Sequence, residues 1–325
     1  MRKRMNWKKG MRLTDEVLKT ADRYADETIS QAMTLAAAGR FGLFPSARPF
    51  HLSLSVNKGF VDVEALSCLA ITRGGQIIDT EFDTKFTNSF DTRVQIPHQD
   101  DVKEYILAIA LKPDAWQEND EGYKTPVFVF SLIAPNVALP DNAMPIGRIV
   151  NDNGWREDNT SFVPPCLYLS SHPKFEELHA QFIDLLRSIN EKTRQQANGG
   201  AQKAISIYWP VVQQMLITAN TEHEEMTPMR LQSCVQQVVA AFTLACDMDE
   251  ALALEDAETF RNHVHAPYNY KIAYLRIKQG LGICYSISEK IDKFSLLQVQ
   301  APEPQKVEPP KPKVDTRRFW DGKKI

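Results

Sequence analysis

The chain has 325 residues, 43% of them hydrophobic and 24% charged, enough to build one large core or two and too apolar for wholesale disorder. A balance of 38 Lys and Arg against 41 Asp and Glu leaves a net charge of −3, so no global basic field draws the protein to nucleic acid or to an anionic membrane. Only 14 Gly exclude a collagen-like chain, and no run of 18 apolar residues is present to cross a bilayer.

The opening, Met1-Arg-Lys-Arg-Met-Asn-Trp-Lys-Lys-Gly10, is basic but has no apolar core of a signal peptide, which predicts a cytosolic protein. Up to about residue 40 the sequence is charged and helix-permissive, with Leu13, Val17 and Leu18 along one side. From about 41 to 170 the pattern turns to strands. Phe50, Leu52, Leu54 and Val56 alternate with polar neighbours, the period of a half-buried strand. Leu69–Arg73 and Gln76–Thr80 flank Gly74-Gly75, which predicts a hairpin. The runs Tyr105–Leu111 and Val127–Ile133 suit inner strands. Strands so frequent with no helix between them predict an antiparallel sandwich or barrel.

Near Pro173 the period changes to that of a helix. Phe175, Leu178, Phe182, Leu185 and Ile189 form a heptad-like seam. After Gly199-Gly200 comes an apolar segment from Ile205 to Ile217, where Pro210 predicts a kink or a late start. Thr227-Pro228 reads as an N-cap and first helical residue, ahead of Leu231, Val235, Val238, Phe242 and Ala245. Ala273, Ile277, Gly280, Cys284, Ile287, Ile291 and Phe294 mark the last helix. Four such helices predict a bundle whose seams serve a monomer or an oligomer equally well. Residues 301–325 hold five prolines and seven Lys or Arg and little to bury, the composition of an extended tail. The Phe319-Trp320 pair near its end is predicted to dock on a partner.

No catalytic pattern stands out. The five cysteines, Cys68, Cys166, Cys234, Cys246 and Cys284, are widely spaced without a CxxC pair, which predicts reduced, packed thiols. His263 and His265 lack a third ligand at metal spacing, and a loop into the last helix is expected around them. Glu222-His-Glu-Glu225 reads as a solvated loop before the Thr227 cap. The serine-hydrolase, zincin, P-loop and dinucleotide-binding motifs are all missing. We therefore expect no enzyme, no cofactor and no metal, and a protein built for assembly. Six Lys or Arg between residues 2 and 12 suit contact with an acidic protein surface.

Several segments, in order, resemble the TssK family (also ImpJ or VasE), the baseplate subunit of bacterial type VI secretion. Asn6-Trp-Lys-Lys-Gly-Met-Arg-Leu13 followed by Ala21-Asp-Arg-Tyr24 is similar to the family's opening. Met144-Pro-Ile-Gly-Arg-Ile-Val150, Phe162-Val-Pro-Pro-Cys-Leu167 and Ser171-His-Pro173 match its strand, its Ile-Pro-Pro-Cys turn and the start of its first neck helix. Met226-Thr-Pro-Met-Arg-Leu231 and Pro267-Tyr-Asn-Tyr270 are weaker matches.

The resemblance implies an α+β fold: an N-terminal antiparallel β-sandwich, like the shoulder of phage receptor-binding proteins, over residues 1–170, then a helical-bundle neck over 171–297. Residues 298–325 form the Pro-rich basic tail where family members carry a head, so the head's contact with the membrane complex does not carry over. The family's Phe-Leu-Arg-Pro-Gln-His-Phe is replaced here by Met11-Arg-Leu-Thr-Asp-Glu-Val17. The implied protein is a trimeric cytoplasmic adaptor at the inner-membrane-docked baseplate, with TssF/TssG-like wedge proteins and membrane-complex proteins as partners. Wedge contact is expected at Trp7, Lys8, Lys9, Met11, Arg12 and Leu13, whose apolar members alternatively pack on their own sandwich. Tail docking is expected at Arg317, Arg318, Phe319 and Trp320. A phage-type receptor-binding or tail adaptor is the alternative, and an enzyme near His263 and His265 a third.

Overall fold

Thr14 begins the first helix: its backbone is extended, and its hydroxyl accepts the Val17 N–H, while Asp15 and Glu16 sit at the positive end of the helix dipole. This helix, α1, runs Asp15–Ala36 in the computed structural model. The structure describes residues 8–9, 11–12, 14–57, 59–83, 92–97, 102–118, 124–198, 203–248 and 257–300. Nine short to medium strands follow α1 in those residues: β1 (Gly42–Leu43), β2 (His51–Asn57), β3 (Phe60–Ile71), β4 (Ile77–Asp83), β5 (Arg93–Gln95), β6 (Glu104–Glu118), β7 (Lys124–Ile133), β8 (Ala143–Asn151) and β9 (Trp155–Glu157).

They form two antiparallel sheets. In the first, β3 is the spine and pairs with β1, β2, β4 and β5. The second has the order β7-β6-β8-β9. The alternation that marks a strand is visible in burial: Ile78, Thr80 and Phe82 of β4 point in and their neighbours out. Leu107 and Ile109 of β6 and Met144 and Ile146 of β8 share a core with Val63, Leu66 and Cys68 of β3, as expected for sheets packed face to face. The glycine hairpin is present, with Ile71 opposite Ile77. One strand differs in place: β7 lies at the edge of its sheet rather than inside, and Val129 is exposed. Its apolar run is explained by packing on both faces: Phe128, Phe130 and Leu132 turn to the shared core, and Ile133 joins Ala108, Ala110 and Ala143 on the other side.

The helices are α2 (Pro173–Asn198), α3 (Lys203–Thr221), α4 (Pro228–Met248), α5 (Ala257–Val264) and α6 (Ala273–Gln300). Contacts run α2 to α3, α3 to α4, α4 to α6 and α6 back to α2, closing a four-helix ring with α5 laid on α4. The seams are buried throughout their described length: Phe175 to Ile189 on α2, Leu231 to Ala245 on α4, Ala273 to Ile291 on α6. Thr227 does cap α4, accepting the Arg230 N–H at 3.1 Å.

Two expectations need correction. His263 lies in the last turn of a helix, α5, rather than in a loop; Phe260 and His263, one turn apart, give that short helix a buried side. Pro210 neither delays nor ends α3, which begins at Lys203 and carries the proline at an exposed position. The side chain of Phe294 lies outside the described residues.

Sheets and bundle are not separate cores. One continuous cluster runs from Leu43, Val63 and Met144 through Val163, Cys166 and Leu169 into Phe175, Tyr208 and Phe242.

Candidate interaction surfaces

The seam between sheets and bundle is the most elaborately bonded part of the molecule. Pro164 and Pro165 are buried there. The Leu43 N–H donates to Pro165 O at 2.8 Å, and the Leu167 N–H donates to Leu43 O at 3.0 Å, so β1 grips the connection on both sides of Cys166. Gly42 makes this possible: at φ 139° it occupies backbone that side chains avoid, and a Cβ would stand 2.5 Å from the Pro165 carbonyl carbon. Beside it, Arg148 of β8 reaches Asp158. The Arg148 Nε donates to Asp158 Oδ2 at 2.9 Å, and its Nη2 reaches the same oxygen and Ser161 Oγ. The backbone N–H groups of Thr160 and Ser161 donate to Asp158 Oδ1 at 3.2 and 3.0 Å. Burial alone would raise this carboxyl, but the bonds from Ser161 and the Arg148 guanidinium outweigh it and hold it well below the usual range.

A second strap joins the sandwich to the bundle next to the first, through Phe41, the residue before Gly42. Arg73, in the β3–β4 turn, lies over the rings of Phe41 and Tyr270, 4.8 and 5.3 Å from their centroids. Those rings meet edge to face at 5.1 Å. Lys271 Nζ donates to Pro135 O at 2.6 Å.

The helix α1 rests on the same β3–β4 turn but buries no residue. Gly75, at φ 79°, passes so near the helix that a Cβ would fall 1.8 Å from Ser30 O. Between helix and turn opens a cleft of about 410 Å³, lined by Arg23, Asp26, Glu27, Gln31 and Gln76 among others. Gln76 Oε1 is buried without a hydrogen-bond partner. Ahead of α1, Lys8, Lys9 and Arg12 are exposed and Met11 is half-buried. Trp7 and Leu13 lie outside the described residues, as do Arg317, Arg318, Phe319 and Trp320.

The histidines and acids singled out in the sequence do not converge. His263 is buried against Gly280 and Val235, its Nε2 unpartnered, and burial keeps it neutral; His265 is exposed. Glu222 forms a bidentate pair with Arg230, and His223 stacks on the buried His179 at 5.0 Å. Four thiols are buried and Cys246 is half-buried, and burial pushes Cys68 and Cys284 up to about 12 and Cys234 to about 11. Among the described residues no group of three or more His, Cys, Asp or Glu could hold a metal ion, and no helix is long and apolar enough to cross a membrane.

The surface that sequence reasoning passed over is on the bundle. Ile207 and Ile217 of α3 and Met229, Leu244 and Met248 of α4 are all exposed. Its signal was in plain view: α3 has no charged residue after Lys203.

No family model matches the chain, and no curated protein sequence does either. The solved structures are another matter. A crystal structure of TssK superposes with a TM-score of 0.59 at 13% identity, over 88% of this chain and 69% of that one. The fold is that of TssK. TssK from the T6SS of EAEC, in complex with nanobody nb18, matches at TM-score 0.55 and 13% identity, over 83% of this chain and 68% of the other. A chain of the TssK-TssF-TssG baseplate subcomplex matches at 0.50 and 15%, over 88% of this chain and 99% of its own length. The resemblance read from short motifs is thus met by the fold, antiparallel sheets followed by a helical bundle.

Proposed function

We propose that this chain is a structural adaptor of a type VI secretion baseplate, working by assembly rather than catalysis. The observation that carries the reading is the fold, antiparallel sheets followed by a helical bundle, which superposes on TssK structures, one of them solved with TssF and TssG. On this reading the protein is a trimer that binds TssF/TssG-like wedge proteins and links them to the membrane complex from the cytoplasmic side. Residues 1–170 act as the shoulder, 171–297 as the neck and 298–325 as the tail.

The wedge contact is assigned to the segment before α1. Exposed Lys8, Lys9 and Arg12 supply rim charge and steering, and Trp7, Met11 and Leu13 the apolar anchor. The tail, through Arg317, Arg318, Phe319 and Trp320, is assigned to the membrane complex. The test is co-purification after co-expression with the TssF/TssG-like proteins of the same system. The full chain is expected to capture them, and a Lys8→Glu, Lys9→Glu, Arg12→Glu variant to lose capture while keeping its melting temperature. Full retention by that variant removes the N-terminal contact; no capture by the unaltered chain overturns the baseplate reading. A chain ending at residue 297 is expected to keep the wedge proteins and lose membrane-complex proteins from the same pull-down.

A further inference from the structure

Among the described residues α1 is the α-helix least anchored to the body. None of its 22 residues is buried, and Leu18, Ile29 and Leu35 stand exposed along it. A helix of that length without packing is marginal in water, so its few contacts decide its position. The closest lies at Gly75, where the turn passes against the helix backbone and a Cβ would run into Ser30 O and Thr34 Oγ1. Next to that contact the cleft of about 410 Å³ holds helix and turn apart, with Arg23, Asp26 and Glu27 on one wall and Gly74 and Gln76 on the other. At its C-terminal end α1 closes on two left-handed residues, Ala38 at φ 50° and Gly39 at φ 75°. The Gly39 N–H donates to Thr34 O at 3.2 Å and the Ala38 N–H to Leu35 O at 3.0 Å, a helix stop in which alanine takes the place that glycine fills without strain. Around Gly39 there is open space: a Cβ would meet nothing within 4 Å.

The turn that meets α1 also holds the rest of the molecule. Three consecutive residues reach three partners: Gly75 the helix, Gly74 the Asp141 carbonyl before β8, to which its N–H donates at 2.7 Å, and Arg73 the rings of Phe41 and Tyr270 that strap sandwich to bundle. The chain leaving the joint runs into the same strap. Arg40 lies over the Tyr168 ring, 5.7 Å from its centroid, and Phe41 supplies one of the strap's own rings.

We infer that α1 is a hinged lever: it opens as a unit about Ala38 and Gly39, is latched at Gly75, and its release loosens the strap between sandwich and bundle. The helix side of the latch yields before the turn side, because the turn is tied down by the Ile71–Ile77 pairing and the Asp141 bond whereas α1 buries nothing. The lever is long. At 1.5 Å per residue its free end lies about 33 Å from the joint, and Lys8, Lys9 and Arg12 come just before that end in the chain. On the wedge reading given above, a partner that holds those residues acts on the sandwich–bundle junction through α1; the opening itself does not rest on that reading.

The test is hydrogen exchange of the full chain, read by mass spectrometry on peptides from α1, from β1 and from residues 270–272. In the unaltered protein the α1 amides are expected to exchange at least about a hundredfold faster than those of α4, through a local opening. Gly75→Ala sets a methyl group against Ser30 O; it is expected to speed α1 by about a further tenfold, and to speed Leu43 and Ile272 as well. Gly59→Ala, at φ 82° between β2 and β3 with nothing within 4 Å of the added carbon, carries the same backbone strain and should leave all three unchanged. If Gly75→Ala fails to fold, the latch is closed instead of broken. Gln31→Cys with Gln76→Cys, combined with Cys246→Ser and bridged across the cleft by a short bismaleimide, should slow the α1 amides about tenfold or more. An α1 that exchanges as slowly as α4, a Gly75→Ala chain with α1 unchanged, or a bridged chain with α1 still fast overturns the lever. Faster exchange confined to α1, with Leu43 and Ile272 unmoved, overturns its coupling to the strap. Wedge capture remains the separate measure of the baseplate reading.

Discussion

Arg148 and Asp158 show what one buried pair does here. With side chains 11% and 6% exposed, they fasten the segment that carries the chain from the sheets to the bundle. Their worth is asymmetric: the pair as a whole gains little over a packed apolar pair, whereas removing one partner strands a buried charge. Asp158→Ala is therefore expected to cost about 3–5 kcal/mol in urea unfolding. The depressed carboxyl also fixes the acid limit. Its stabilisation is complete above the unfolded carboxylate range, near pH ~4, and is lost as pH falls toward the folded value. The histidines act at milder pH. Burial, with nearby Lys174, pushes the His172 imidazole down to about 4, and its neutral Nδ1 accepts the Lys174 backbone N–H at 3.2 Å. A lowered histidine binds fewer protons folded than unfolded, so stability should fall as pH drops from about 6.5 to about 4. His172→Asn keeps an acceptor but cannot titrate, and is expected to flatten that slope in part. His179 and His263, also lowered by burial, supply the remainder. Chemical denaturation at several pH values reads both effects.

At the scale of elements, α6 holds two glycines two residues apart with opposite roles. At Gly280 a Cβ would fall 2.4 Å from His263 Nε2 and 2.5 Å from Val235 Cγ1; at Gly282 it would meet nothing within 4 Å. Gly282→Ala is expected to stabilise the protein by about 1 kcal/mol through helix propensity alone. Gly280→Ala should destabilise it, because α5 has to lift to make room. Equal shifts in melting temperature for the two would show that His263 does not seat in the notch. The seams are less forgiving. Phe242 and Ile287 are wholly buried, and Phe242→Glu or Ile287→Glu should abolish cooperative melting.

These seams are legible in the sequence because a helix face repeats within a few residues, and the heptad positions of α2, α4 and, as far as Ile291, α6 coincide with the buried ones. The β3–β4 hairpin was legible for the same local reason. What spacing hides is long-range. That Arg73 would lie over Phe41 and Tyr270, that Arg148 would find Asp158, and that the edge of the second sheet would be β7 all depend on segments meeting far apart in the chain. The helix α5 escaped because eight residues carry little more than two turns of periodicity. Of the proposed wedge segment, Lys8, Lys9 and Arg12 are exposed, as a contact surface requires.

Across the whole molecule, two structural layers share one core and are fastened by two straps, the Gly42–Cys166 grip and the Arg73 stack. Such a body suits a part that transmits position between other parts, with its contacts displayed at the periphery. The central claim is that this body joins a wedge as a trimer. Native mass spectrometry of the full chain co-expressed with TssF/TssG-like proteins tests it most directly. The account predicts one species whose mass contains three copies of the 36.9 kDa chain on the wedge proteins. The chain emerging alone, with the wedge proteins assembled without it, would contradict it.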